Sequence, residues 1–118
     1  MKGVRTKKMY DEYQRYKKTH FKDGTCRLCD KTKSDTLEDF RYWRIVENLF
    51  PWDRIIKVHH MIISKRHATA DKLAPKERQE LEKLKSGYIN KNYGVMAEAT
   101  HRKKSIPGHF HLHLLVLK

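Results

Sequence analysis

The spacing of apolar residues predicts two main helices. Residues 6–20 contain no Gly or Pro and carry Met9, Tyr13 and Tyr16 at roughly helical spacing, which indicates an amphipathic helix. A second helix is predicted from residue 74 onwards, because Pro75 suits a first helical turn. One face of that second helix is apolar and comprises Leu81, Leu84 and Tyr88.

The remaining apolar segments are aromatic or β-branched and are typical of strands. Four strands are predicted, over residues 42–48, 54–64, 93–98 and 109–117. Residues 34–39 are polar and are predicted to form a turn or a short helix capped by Ser34. The order helix, strand, strand, helix, strand, strand predicts an α+β domain with a mainly antiparallel sheet.

The length and the charge of the chain indicate how many domains it has and what kind of partner it attracts. The chain has 118 residues, which suits one domain, and its 27 Lys and Arg against 14 Asp and Glu give a net charge of +13. Such a charge attracts polyanions, so nucleic acid is a candidate partner. Before residue 34 the basic residues alternate with tyrosines, which fit either stacking on bases or the packed face of a helix: Tyr10, Tyr13 and Tyr16.

The sequence also gives an expectation about location. Residues 1–8 are basic, but no apolar stretch follows them, so no secretory signal is predicted. No apolar run approaches the ~20 residues that a membrane span needs. A cytoplasmic protein without a membrane segment is therefore expected.

Three histidines alternate with apolar residues near the C-terminus. In a strand, His109, His111 and His113 share one face. The residues between and after them point to the other face and can anchor the strand in the core: Phe110, Leu112 and Leu114. Neighbouring positions on one face lie about 6.5–7 Å apart, so adjacent imidazoles can have separate roles. The alternatives are an exposed face that happens to hold histidines and a purely structural metal patch.

The two cysteines, Cys26 and Cys29, have Cys-x-x-Cys spacing. A disulfide across so short a loop would stabilise little. In a reducing compartment the spacing favours half of a metal site, and a pair of free thiols is the alternative.

These patterns resemble the histidine triad (HIT) family, whose signature is His-x-His-x-His followed by two apolar residues, here Leu114 and Leu115. Residues 59–67 are similar to the family strand that ends in Pro-Lys-Lys/Arg-His, with Ser64 where proline is usual. The resemblance implies an α+β, HIT-like fold with a mainly antiparallel sheet of about five strands and two main helices. It divides the chain into a basic N-terminal helix or extension, residues 1–23, and a HIT-like catalytic domain, residues 24–118.

The resemblance implies a nucleotide phosphohydrolase or nucleotidyltransferase, with nucleotides or dinucleoside polyphosphates as substrates and a homodimer as the assembly. His111 would attack the α-phosphorus to form a covalent nucleotidyl-histidine, which water or another acceptor resolves. His113 would hydrogen-bond the phosphate, and Ser105 with backbone amides would stabilise charge on the phosphoryl oxygens. Asn48 and His59 would line the nucleotide pocket.

Zinc-bearing relatives carry a similar Cys-x-x-Cys and use the histidine that ends the Pro-Lys-Arg-His segment together with the first triad histidine. The resemblance therefore implies a closed, structural Zn²⁺ site with four ligands: Cys26, Cys29, His67 and His109. His59 and His60 are rival ligands. If their segment is a strand, one of the two must face away.

Several positions depart from the family pattern. Asn48 stands where relatives have the Asp of Asp-x-x-Pro that holds the ribose hydroxyls, and residues 52–58 are an insertion. Glu98 replaces a usual Asn, and residues 105–108 replace a stretch that contacts phosphate. Three aromatic side chains fit either the wall of a base pocket or the ordinary core: Trp43, Phe50 and Trp52.

Two other functions stay open at this point. A zinc-stabilised module without turnover would use its +13 charge to bind nucleic acid. A His-Asn-His-type nuclease would use the Cys-x-x-Cys and residues 58–62. Such nucleases normally have a further Cys or His pair and a closing helix, whereas this chain ends in an apolar strand.

Overall fold

The computed structural model describes residues 3–20, 26–29, 35–103 and 106–118. The first helix, α1, spans Lys7–His20. A second helix, α2 (Pro75–Leu84), continues through a π-helical turn, Lys85–Ile89, and a last α-helical turn, Asn90–Asn92. Five strands accompany them: β1 (Thr36–Asp39), β2 (Trp43–Glu47), β3 (Ile56–Ser64), β4 (Val95–Ala97) and β5 (His111–Leu117).

All five strands form one antiparallel sheet in the order β1-β2-β3-β5-β4. The longest strands, β3 and β5, are neighbours in its interior, with His59 opposite Leu115 and Ile63 opposite His111. The α+β class, with a five-stranded antiparallel sheet and two main helices, is therefore confirmed.

The prediction of a turn or short helix over residues 34–39 is wrong. Thr36–Asp39 is the edge strand β1, which pairs with β2. All four residues of β1 are exposed, so no apolar alternation marks them as a strand in the sequence. Ser34, the expected cap, lies outside the described residues.

Helix α2 covers one side of the sheet, here called the helix face. Its Leu81 and Leu84 pack in the main core with side chains from three strands and the residue before β5: Trp43, Ile45, Ile62, Phe110, Leu112 and Leu114. The alternating anchors of the histidine segment are thus confirmed as core. Trp43 is fully buried here and its indole N–H donates to the Glu77 carbonyl (2.8 Å), so Trp43 is core and not a pocket wall.

The opposite side of the sheet, here called the histidine face, carries His59, His111 and His113. A smaller cluster of Trp52, Ile56 and Leu115 lies on this side, packed with Val4 and Ala97. The N-terminal segment is therefore packed against the sheet.

Helix α1 packs its tyrosines on the loop between β2 and β3. The rings of Tyr13 and Tyr16 lie 5.4 and 4.8 Å from the Phe50 ring, centroid to centroid. The Arg5 guanidinium covers Tyr13, and that of Arg27 covers Tyr16. For these two tyrosines the structure decides in favour of the packed helix face over stacking on nucleic-acid bases.

Glu77 connects α2 to the segment that follows β3. Its side chain is buried, and Oε1 accepts hydrogen bonds from the Ala74 amide and the Arg66 guanidinium, each 2.7 Å long. We expect Glu77→Ala to lower the free energy of unfolding by about 2 kcal/mol, because two donors lose their acceptor. Glu82→Ala, which breaks only an exposed pair with Lys85, should change it by less than about 0.5 kcal/mol. Denaturant unfolding measures both, and equal losses would contradict this role of Glu77.

Candidate functional site

Four side chains converge on one point beside the histidine face and are positioned to bind a metal ion. The Cys26 Sγ lies 3.3 Å from His109 Nδ1, and the Cys29 Sγ lies 3.3 Å from His67 Nδ1 and 3.4 Å from His109 Nδ1. All four ligand atoms lie within 4.8 Å of one another. Tetrahedral bonds of about 2.0–2.3 Å from one ion would separate such ligands by about 3.3–3.8 Å, so the set fits a closed site.

Three separate parts of the chain supply these ligands. Cys26 and Cys29 lie on one turn, closed by a hydrogen bond from the Cys29 amide to the Cys26 carbonyl (3.2 Å). His67 follows β3 and His109 precedes β5, and these strands are neighbours in the sheet. The ring of His109 is oriented by its second nitrogen, which donates to the Ser64 carbonyl (2.6 Å). Nδ1 therefore carries the lone pair that faces the cysteines, as a metal ligand requires.

Arg44 is a component of the cluster that the sequence analysis missed. It is almost fully buried, and its guanidinium donates to the Leu28 carbonyl (3.0 Å), inside the Cys-x-x-Cys turn, and to the Thr36 hydroxyl (3.3 Å). The guanidinium thus holds the turn against β1 and β2. An arginine between the apolar residues Trp43 and Ile45 of β2 was the available signal, since a buried charge needs a specific partner.

Burial shifts the pKa values of Cys29 and His109 towards their neutral forms. Loss of hydration and the adjacent Cys26 thiol raise the pKa of Cys29 to about 11, while the Arg44 charge opposes this rise. Loss of hydration also lowers the pKa of His109, and the charges of His67 and Arg44 act in the same direction. A metal ion would reverse the effect on the thiol, because it stabilises the thiolate directly.

His111 follows the cluster by two residues and is held as one tautomer. Its Nδ1 lies 2.9 Å from the His109 carbonyl oxygen, which can only accept, so Nδ1 carries the proton. The lone pair is then on Nε2. The same His109 belongs to the possible metal site through its side chain and orients His111 through its backbone carbonyl.

A second hydrogen-bonded chain runs through His59 and His113. The Trp52 amide donates to His59 Nδ1 (3.1 Å), so the proton of neutral His59 is on Nε2. That nitrogen lies 2.8 Å from His113 Nδ1 and donates to it, which puts the proton of neutral His113 on Nε2. The Trp52 ring packs on both histidines, with centroids 4.7 and 4.6 Å away. Trp52 thus lines the histidine cluster.

Burial keeps His59 neutral. Loss of hydration, followed by the charges of Arg5 and His60, lowers the pKa of His59 to about 4. The tautomer chain through His59 and His113 therefore persists at neutral pH.

We expect acid to weaken the fold through His59. Between about pH 6.5 and 4 the unfolded chain binds a proton at His59 and the folded chain does not, so stability falls as the pH falls. The total loss is about 3 kcal/mol, and it levels off below pH 4. The measurement is the free energy of unfolding of the wild type and of His59→Gln at several pH values. The difference between the two proteins separates the contribution of His59 from that of metal release. A difference that stays constant with pH would contradict it.

Asn48 lies beside His59, at a cavity of about 420 Å³. Its Oδ1 accepts from the Phe50 amide (2.9 Å), and its Nδ2 lies 3.2 Å from His59 Nε2. Both of these nitrogens carry protons in the tautomer described above, so this contact is not a hydrogen bond. The cavity mixes carboxylates with lysines, and its lining includes Glu47, Asp53, Lys57, His59 and Lys118. Asn48 and His59 are therefore brought together at a concave surface, although one polar atom of Asn48 is already used by the backbone.

Three candidate residues remain: His60, Glu98 and Ser105. His60 points to the helix face, where its Nδ1 lies 2.6 Å from the Tyr93 hydroxyl, so the alternation along β3 excludes it from the metal cluster. Glu98 is exposed. The last strand begins two residues later than predicted: β5 starts at His111, so His109 lies just before the strand and not within it. Ser105 lies outside the described residues.

No helix in the described ranges is long and apolar enough to cross a membrane. No protein-family model and no curated protein matches this chain. The features of the chain that indicate a function are therefore the four possible metal ligands and the histidines next to them.

Proposed function

We propose that the protein is a HIT-like nucleotide hydrolase or nucleotidyltransferase that acts at an α-phosphate through His111. The observation that carries this proposal is the hydrogen bond from His111 Nδ1 to the His109 carbonyl. It leaves the lone pair on Nε2, and a neutral imidazole in a fixed orientation is a competent nucleophile near pH 7.

In the first step, the Nε2 lone pair of His111 forms a bond to the α-phosphorus, and the bond from phosphorus to the leaving group breaks. In the second step, the oxygen of water bonds to the same phosphorus and the Nε2–P bond breaks, which returns the lone pair to His111. The proton released by water balances the one taken up by the leaving group. Two displacements with a strong nucleophile replace one difficult attack by water.

His113 supports this chemistry as a donor. Its Nε2 carries a proton because His59 donates to its Nδ1, so Nε2–H can bond a phosphoryl oxygen on which charge develops. The lowered pKa of His59 keeps that arrangement free of a competing positive charge.

For the metal we propose Zn²⁺ in a structural role. Two thiolates and two imidazoles in tetrahedral reach suit zinc, and four protein ligands leave no position for water. The ion would fix His109, and through its carbonyl the nucleophile His111. No step of the reaction passes through it.

The test is to trap the intermediate. The wild-type protein is mixed with adenosine 5′-phosphoramidate, quenched under denaturing alkaline conditions, and examined by intact-mass and peptide mass spectrometry. We expect AMP release and a transient adenylate on the peptide that contains His111. The same experiment is repeated with diadenosine polyphosphates as the second class of substrate. Absence of turnover with both substrate classes, or an adduct on another residue, would overturn the proposal.

The second candidate function, a nucleic-acid-binding module without turnover, is favoured by α1. The exposed residues described on this helix are all basic: Lys7, Lys8, Arg15 and Lys18. Oligonucleotide affinity measured against salt concentration, with the paired substitution Lys7→Glu and Lys8→Glu, tests it. Salt-dependent binding that this variant weakens, together with no nucleotide turnover, would support this function over the first.

A further inference from the structure

The chain before α1 is bound to the loop that carries Trp52. Thr6 donates from its amide to Asp53 Oδ1 (2.7 Å) and from its hydroxyl to Asp53 Oδ2 (2.8 Å). Arg5 donates from Nε to the Phe50 carbonyl (2.8 Å). These contacts join residues that are 45 to 47 positions apart in the chain. We call residues 3–6 together with their contacts to residues 50–54 the N-terminal clasp.

Further contacts make the clasp continuous on both sides of Trp52. The Arg54 amide donates to the Val4 carbonyl (3.1 Å), and the Arg54 guanidinium reaches the Gly3 carbonyl (3.3 Å). The Val4 side chain packs against the cluster that contains Trp52. Trp52 therefore lies between two residues that contact the N-terminal segment, Phe50 and Asp53, and the cluster to which it belongs packs against Val4.

Thr6 also connects the clasp to α1. Its hydroxyl oxygen accepts from the Met9 amide (3.3 Å) while the hydroxyl proton goes to Asp53. Thr6 thus begins the helix and closes the clasp with the same group. Tyr13, one helical turn beyond Met9, continues the contact by packing on Phe50.

The position of the Trp52 backbone decides the chemistry of the histidines. Its amide is the donor that forces the proton of His59 onto Nε2, and that proton is donated to His113. If the amide moved away, Nδ1 of His59 could carry the proton instead, and Nε2 would then no longer be a donor to His113. The ring of Trp52 touches both histidines, so its displacement would also admit water between them.

We propose that the N-terminal clasp is a positioning element of the histidine site, which holds the Trp52 amide on His59 and so selects the tautomers of His59 and His113. Asp53 and Thr6 are positioning residues in this scheme. The kinetic part of the proposal rests on the proposed function, while the tautomer part does not.

The test uses the 118-residue chain and ¹⁵N NMR of the imidazole nitrogens, which distinguishes the two neutral tautomers. His59 signals are assigned from their loss in His59→Gln. In the wild type we expect His59 and His113 each as a single Nε2–H tautomer. In Asp53→Ala we expect His59 signals averaged between the two tautomers, with the metal still bound. Asp53→Asn keeps one acceptor for the Thr6 amide and should be intermediate, and Thr6→Ser should retain the wild-type spectrum.

Matched controls separate this effect from a general loss of stability. Asp39→Ala removes an exposed carboxylate that pairs with Lys65 at the far edge of the sheet (2.8 Å), and it should leave the tautomers unchanged. If Asp53→Ala unfolds, Asp53→Asn and Thr6→Val provide the comparison. An unaltered His59 spectrum in all of these clasp variants would overturn the proposal.

Kinetics distinguish failure of this proposal from failure of the proposed function. For the adenosine 5′-phosphoramidate reaction, Asp53→Ala should lower kcat about tenfold or more, because His113 Nε2 would lose the proton that it donates to the phosphate, and KM should change less than kcat. A normal His111 adduct with unaltered tautomers and rate in Asp53→Ala would refute the clasp alone. A clasp-dependent tautomer in a protein that does not turn over nucleotides would refute only the proposed function.

Discussion

Replacing His111 by alanine is expected to reduce AMP release from adenosine 5′-phosphoramidate by at least about a thousandfold, because the nucleophile itself is removed. The adenylated protein should also disappear from the mass spectrum. The measurement is the initial rate of AMP formation with wild-type and variant protein at equal metal content.

Two comparisons make this prediction specific. His111→Asn keeps an N–H that can reach the His109 carbonyl but has no nucleophilic nitrogen, so it should be as inactive as the alanine variant. His101→Ala replaces an exposed histidine of the turn before β5 and should retain wild-type activity. Substantial activity in His111→Asn, or an equal loss in His101→Ala, would show that His111 is not the nucleophile.

Loss of the metal cluster has the largest expected effect on stability. Cys29→Ser should abolish stoichiometric metal binding and lower the melting temperature by roughly 10 °C or more, because an ion held by these four ligands would join the Cys-x-x-Cys turn to the segments after β3 and before β5. A strong chelator should do the same to the wild type. Elemental analysis and thermal unfolding measure these outcomes.

His60→Gln is the matched control for the metal site. His60 is the rival ligand from the sequence analysis, but it bonds Tyr93 on the helix face, so this variant should keep its full metal content. Activity should fall with metal loss in Cys29→Ser, since His109 orients His111 through its carbonyl. Full metal content in Cys29→Ser, or metal loss in His60→Gln, would contradict the assigned ligands.

The local elements of the fold were largely predictable. The helix over residues 6–20 and the apolar anchors Phe110, Leu112 and Leu114 follow from periodicity alone, because one buried face imposes a regular spacing. Strand β1 was not predictable in this way. Its residues are exposed and owe their conformation to pairing with β2.

The ligand set Cys26, Cys29, His67 and His109 was obtained from the sequence by resemblance, and the structure brings these residues together. The sequence could not decide which tryptophan lies in the core and which lines a pocket. Trp43 and Trp52 occur in similar apolar surroundings along the chain, yet one lies in the core under α2 and the other against His59 and His113. The side of the sheet that each faces is set by strand register and by the loop after β2.

The sequence by itself determined the two helices, the central strands and the histidine pattern, because hydrophobic periodicity and residue chemistry are local properties. Only the tertiary structure decided which nitrogen of each histidine carries a proton, since the deciding partners are the His109 carbonyl and the Trp52 amide. The tertiary structure likewise decided that Arg44 donates a hydrogen bond to the cysteine turn and that Thr6 donates hydrogen bonds to Asp53. Hydrogen bonds across 16 to 47 residues of chain leave no periodic trace in sequence, so these contacts became visible only in the folded chain.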